Sequence, residues 1–164
     1  MPEITIAEAI NAAIAMEEEV RGIFLSFAGR FHGAPGAAQF FRSLAQDETG
    51  HARLWKEIRN GLPPAKLGEP ASRLLVSSLE GARNALERNP PARVSTLGEA
   101  CELTSSIENA ELLAVFRVLA IELVPEPRRR EFLDLQIQGH LNRVEQFANG
   151  LGRCGRMATF PPGQ

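Results

Sequence analysis

Apolar residues recur at alternating steps of three and four over four long stretches of the chain, the period of helices that bury one face. The pattern predicts a first helix from about Ile6 to Phe31, capped by Thr5, and broken by His32-Gly33-Ala34-Pro35-Gly36. A second is predicted from about Ala37 to Arg59, stopped by Asn60-Gly61 with Pro63 and Pro64 beyond. The segment from Leu62 to Val94 then reads as a long connection, with a shorter helix over about Ala71 to Glu87 ended by Asn89-Pro90-Pro91. A third long helix follows Ser95-Thr96 and runs to about Leu123, where Val124-Pro125-Glu126-Pro127 breaks it. The fourth runs from about Arg128 to Ala148 and is expected to end near Asn149-Gly150. No strand pattern competes. The expected fold is all-α: a four-helix bundle over residues 1–150 with a long crossover between helices two and three, and a C-terminal tail over 151–164.

Polar residues interrupt the apolar seams near the middle of each helix. The second seam is Phe41, Leu44, Glu48, His51, Trp55, Ile58; the third is Cys101, Thr104, Glu108, Glu111, Val115, Leu119. The fourth is Leu133, Ile137, His140, Val144, Phe147, and the first is read as Ile14, Glu18, Gly22, Leu25, Ala28. A carboxylate in an apolar core costs several kcal/mol unless something neutralises it. Six such residues on four inward stripes point to metal held in the bundle core, with Glu18, Glu48, His51, Glu108, Glu111 and His140 as ligands. Glu48 and His51 stand one turn apart and can reach one ion, and Glu108 and Glu111 are related in the same way. Four glutamates carry four negative charges, which two divalent cations balance. Glutamate oxygens with imidazole nitrogens suit iron or manganese, and zinc as well.

Composition narrows the setting. A chain of 164 residues, 44% apolar and 23% charged, has the balance of one globular domain with a sizeable core. The net charge of -2 exerts no strong pull toward nucleic acid or an anionic membrane, and the run Arg128-Arg129-Arg130 reads as a solvated helix start. Cys101 and Cys154 form no Cys-x-x-Cys pair, which argues against a disulfide framework or a cysteine zinc site. No apolar run spans a bilayer, and Met-Pro-Glu-Ile-Thr lacks the marks of a signal peptide, so the expected location is the cytoplasm.

Several segments together resemble the rubrerythrin type of ferritin-like di-iron protein. Met16-Glu17-Glu18-Glu19 followed by Ile23-Phe24-Leu25 resembles that family's first helix. Leu44-Ala45-Gln46-Asp47-Glu48-Thr49-Gly50-His51 resembles its second-helix Glu-x-x-His with an acidic lead-in. Glu108, Glu111 and His140 match glutamates of the third helix and the histidine of the fourth. The resemblance covers roughly residues 6 to 150. It implies a dinuclear iron centre acting on peroxide or dioxygen, in a homodimer supplied with electrons by a separate donor. The departures are specific. Ile137 stands where the family has the glutamate of its fourth-helix Glu-x-x-His, Leu25 and Val115 stand where it has tyrosines, and no rubredoxin-like cysteine pairs are present. The competing expectation is therefore a non-catalytic bundle whose metal is structural or vestigial and which serves protein contacts.

Overall fold

In the computed structural model the described residues are 4–88, 90–111, 115–124 and 126–157; within them, the side chains of residues 35, 109–111, 128, 129, 132, 136, 137, 148 and 151–157 lie outside the description. The elements are α1 (Ile6–Arg30), α2 (Pro35–Gly61), α3 (Pro64–Leu67), α4 (Arg73–Arg88), a 3-10 turn (Pro91–Arg93), α5 (Leu97–Glu111), α6 (Arg117–Leu123) and α7 (Pro127–Met157). The fold is all-α, with no strand among the described residues.

The starts of α1 and α5 are written in the sequence. Thr5 Oγ1 accepts the Glu8 backbone N–H at 3.2 Å, and Glu8 Oε2 accepts the Thr5 N–H at 2.7 Å, a reciprocal capping box. Thr96 and Glu99 repeat it at α5, where Glu99 Oε2 also accepts the Ser95 N–H at 2.7 Å. Pro35 opens α2 at its first turn, where a missing N–H costs nothing.

α1 and α2 are joined by four residues and pack along each other. α4 carries Leu75, Leu79, Ala82 and Leu86 on one buried stripe and packs on α1 and α5. The connection from α2 to α5 is tied down at both ends. The Ile6 N–H reaches Glu69 O at 2.9 Å and the Ala71 N–H reaches Ile4 O at 2.8 Å. Arg30 donates to Pro91 O at 3.2 Å and to Val94 O. An aromatic cluster closes one end of the bundle, with Phe27 edge-on to Phe41 (5.3 Å between centroids) and Phe40 stacked on Phe147 (3.8 Å).

The third long helix is described as α5 up to Glu111 and α6 from Arg117, with Val115-Phe116 in π-helical backbone just before α6; residues 112–114 lie outside the described residues. One boundary differs from expectation. The fourth helix does not stop at Asn149-Gly150 but continues to Met157. Gly150 would end a helix by adopting positive φ, and no described glycine does so. An asparagine and a glycine inside a helix lower its stability by only about 1 kcal/mol for the glycine, which does not by itself terminate it.

Candidate metal centre

The middle of the bundle brings together one acid from α1, an acid and a histidine from α2, an acid from α5 and a histidine from α7. These are Glu17, Glu48, His51, Glu108 and His140. Four of the five are almost fully buried: Glu17 at 3% exposure, Glu48 at 2%, Glu108 and His140 at 1%. His51 is half-buried, its ring edge-on to Phe116 at 5.1 Å.

The five side chains form two groups that share Glu48. Glu17, Glu48 and His51 each offer one ligand atom, all within 4.8 Å of one another, and Glu48, Glu108 and His140 do the same. In the first group His51 Nδ1 lies 3.0 Å from Glu48 Oε2 and 3.5 Å from Glu17 Oε2. In the second His140 Nε2 lies 2.9 Å from Glu108 Oε1 and 3.8 Å from Glu48 Oε1. The two oxygens of Glu48 thus face different histidines, as a carboxylate bridging two ions would.

The contacts are close, but several are not aligned as hydrogen bonds. Glu17 Oε2, Glu48 Oε1, Glu108 Oε1 and His140 Nε2 are buried without a hydrogen-bond partner. Orphaned buried polar atoms cost about 1–3 kcal/mol each, and native structures hold few of them. Four in two adjoining groups call for partners that the side chains do not supply to one another. With bonds of about 2.1 Å, two donors on one ion lie about 3 Å apart at right angles and about 3.4 Å apart at tetrahedral angles. The observed separations of 2.9 to 3.8 Å fall in and just above that range. The donor set and its spacing fit a pair of cations.

A surrounding layer orients the donors. Asp47 Oδ2 lies 3.2 Å from His140 Nδ1 and accepts from Arg143 Nη2 at 2.6 Å. A carboxylate on Nδ1 holds the proton there and leaves the Nε2 lone pair facing Glu108 and Glu48, the usual second partner of a metal-ligating histidine. On the other side the Trp55 indole N–H donates to Glu17 Oε1 at 3.2 Å.

The clustered side chains shift one another's affinity for protons. Burial, reinforced by the charges of Glu108 and Glu17 against the bond from His51, pushes the Glu48 carboxyl well above the usual carboxylate range. Burial acts the same way on Glu17, but His51, Glu48 and Trp55 outweigh it and hold that carboxyl below its ordinary value. Burial would lower both histidines, yet the neighbouring acids win. Glu17 and Glu48 raise His51 to about 11, and Asp47 and Glu108 raise His140 to about 9. Protons on the imidazoles offset the buried carboxylate charge, as cations held by these side chains would.

The placement of the expected residues is uneven. Glu48, His51, Glu108 and His140 come together in the core. Glu18 does not: it points outward and pairs with Lys56 Nζ at 2.9 Å, while its neighbour Glu17 takes the inward position. The first-helix register is therefore shifted by one residue, because the buried stripe of α1 runs through Ile10, Ala13, Glu17, Val20, Phe24 and Phe27 and leaves Leu25 exposed. The backbone of Glu111 ends α5 and that of Ile137 lies in α7, but both side chains are outside the described residues. Asp47 and Arg143 were not anticipated as site residues, and Trp55 was read only as a seam residue. An acid directly before the Glu-x-x-His was the one available signal for Asp47.

Residues 8–73 match the family model described as Rubrerythrin. The match takes in most of α1 and all of α2 and α3, with Glu17, Asp47, Glu48, His51 and Trp55, and supports a likeness to rubrerythrin-type, ferritin-like proteins over that part of the chain. Glu108 and His140 fall beyond the matched residues. None of the curated proteins and none of the solved structures compared with the chain gives a match.

Proposed function

We propose that the chain holds two iron ions in this cluster and reduces peroxide or dioxygen with them. The observation that carries the reading is the convergence of four buried, unpartnered donor atoms from four helices, arranged as two groups around one shared glutamate. Glu17 and Glu108 would cap the two ends, Glu48 would bridge, and His51 and His140 would supply one neutral nitrogen each. When bound, the metal pair supplies the electrons that reduce the oxidant. The protein's own contribution is positional and electrostatic. Buried acids from three helices hold a negative field that stabilises added positive charge. Asp47 keeps the His140 proton on Nδ1, so Nε2 remains a donor. The half-buried His51 is the most exposed of the five, which makes its side the natural approach for a small oxidant. The reading includes a cytoplasmic homodimer and a separate electron donor, tested respectively by solution mass and by reduction with candidate donor proteins.

Ile137, in place of a fourth-helix acid, favours a second reading in which the metal is structural and the bundle serves protein contacts. One experiment separates the two. Protein reconstituted anaerobically with ferrous iron is assayed for bound metal and then mixed with stoichiometric hydrogen peroxide. Two irons per chain, oxidised faster than free ferrous ion with peroxide consumed, is the expected result. Bound metal that peroxide does not oxidise sinks the catalytic reading and leaves the structural one. No bound metal sinks both.

A further inference from the structure

Trp55 is the single tryptophan of the chain and is fully buried, packed at 4.4 Å against Phe116. Its indole nitrogen can donate but not accept, so a buried Trp55 needs an acceptor. The acceptor is Glu17 Oε1 at 3.2 Å, and the other Glu17 oxygen, Oε2, faces His51 Nδ1 at 3.5 Å without a hydrogen-bond partner. The two oxygens of this acid are therefore made unequal by one neighbour. The geometry points to Trp55 as a positioning residue that clamps Glu17 Oε1, so that Glu17 meets its metal through Oε2 alone and stays there. This inference rests on the two-ion reading above and adds to it a residue that is not itself a ligand.

The physical case is one of preorganisation. An unclamped glutamate in the core could turn either oxygen, or both, toward an ion, and ordering it would draw on the binding free energy. Glu48 needs both oxygens because they face different histidines; Glu17 needs only one, and the clamp sits on the oxygen that is spare. α1 and α2 run side by side, so one helix supplies the acid and the other supplies its clamp. Lys56, the next residue, pairs instead with Glu18 on the outside. The 17/55 and 18/56 pairs thus hold the same helix–helix register from inside and outside the bundle.

Because Trp55 is alone in the chain, growth on an analogue changes only this site. Incorporating β-(3-benzothienyl)alanine exchanges the indole N–H for sulfur with the ring shape kept, and 5-fluorotryptophan keeps the donor. Trp55→Phe is the genetic counterpart. Each protein is titrated anaerobically with cobaltous ion, followed by calorimetry and by the visible d–d bands. The step that Glu17→Gln removes is the one to follow. The sulfur analogue should weaken that step by about 10- to 100-fold, the usual effect of losing a partner that orients a ligand. It should also alter that step's d–d spectrum and leave the step assigned to Glu108 and His140 in place, while 5-fluorotryptophan restores normal binding. A tight step unmoved by the sulfur analogue overturns the clamp alone, as does equal weakening of both steps. No cobalt uptake by the unaltered protein overturns the two-ion reading and the clamp with it.

Discussion

Glu48 is the only acid that belongs to both donor groups, so Glu48→Gln should abolish metal stabilisation that Glu17→Gln and Glu108→Gln each reduce only in part. A ligand that binds only the folded state at 100 times its dissociation constant stabilises by about 2.7 kcal/mol per site. For a domain of this size each kcal/mol moves the melting temperature by about 2–4 °C. One filled site is then worth about 5–11 °C and two independent sites about twice that. The assay is thermal unfolding of each variant, chelated and metal-loaded. The unaltered protein should show the full rise, the Glu17 and Glu108 variants roughly half of it, and Glu48→Gln none. Chelated Glu48→Gln should melt no lower than the chelated parent, because a neutral amide of the same size replaces a carboxyl that burial and its acidic neighbours already disfavour as an anion.

Glu18→Gln is the matched control. Glu18 and Lys56 are 57% and 54% exposed, and an exposed pair of that kind contributes at most about 1 kcal/mol. Its metal-induced rise should equal the parent's. The reasoning fails if Glu48→Gln keeps the rise, or if Glu18→Gln loses it while Glu17→Gln does not.

Other outcomes follow from the same geometry. Asp47→Asn should weaken cobalt binding at the His140 half by about 10- to 100-fold, with the other half unaffected, because a neutral amide oxygen holds the Nδ1 proton less strongly than a carboxylate; calorimetric titration reads this directly. In chelated protein the folded-state values of His140 (about 9) and His51 (about 11) lie above the ordinary histidine value of 6.5. Their contribution to stability is therefore complete below about pH 6.5 and is lost as pH rises through about 9 to 11, so urea midpoints should fall over that interval in chelated protein and much less in metal-loaded protein, where both imidazoles are neutral ligands. Ile137→Glu adds an acid one turn before His140 on α7; it should raise metal uptake at the His140 half and lower the melting temperature of the chelated protein, and indifference in both measurements would place position 137 away from the centre.

Much of the helical framework was legible because its signals are local. Thr5 with Glu8, and Thr96 with Glu99, sit three residues apart at the helix starts, and Pro35, Gly61 and the paired prolines mark ends within a residue or two. What failed depended on distant packing. Asn149-Gly150 reads as a stop, but a helix stops at glycine only where the chain turns away, and here α7 continues.

The structure gathers the expected side chains where the seam is narrow, as on α2, and turns a different acid inward where it is wide, on α1. α2 buries one clean stripe through Phe41, Leu44, Glu48, Trp55 and Ile58, so only one register was available. α1 is covered on two sides, by α2 and by α4, and buries a broad arc that includes Ile14, Met16, Ile23 and Ala28 beside its central line. An arc that wide accommodates two heptad registers, and in a run of three glutamates each register selects a different acid. The discriminating signal lay further along the helix. The stripe through Glu17 continues into Val20, Phe24 and Phe27, each larger than its counterpart on the stripe through Glu18, which continues into Gly22, Leu25 and Ala28. The sum of apolar volume along the stripe favours Glu17, since burial follows the area removed from water. The outer charges agree: Glu18 and Glu19 meet Lys56 and Arg83 on the surface, and Glu17 meets Trp55 and His51 inside the bundle.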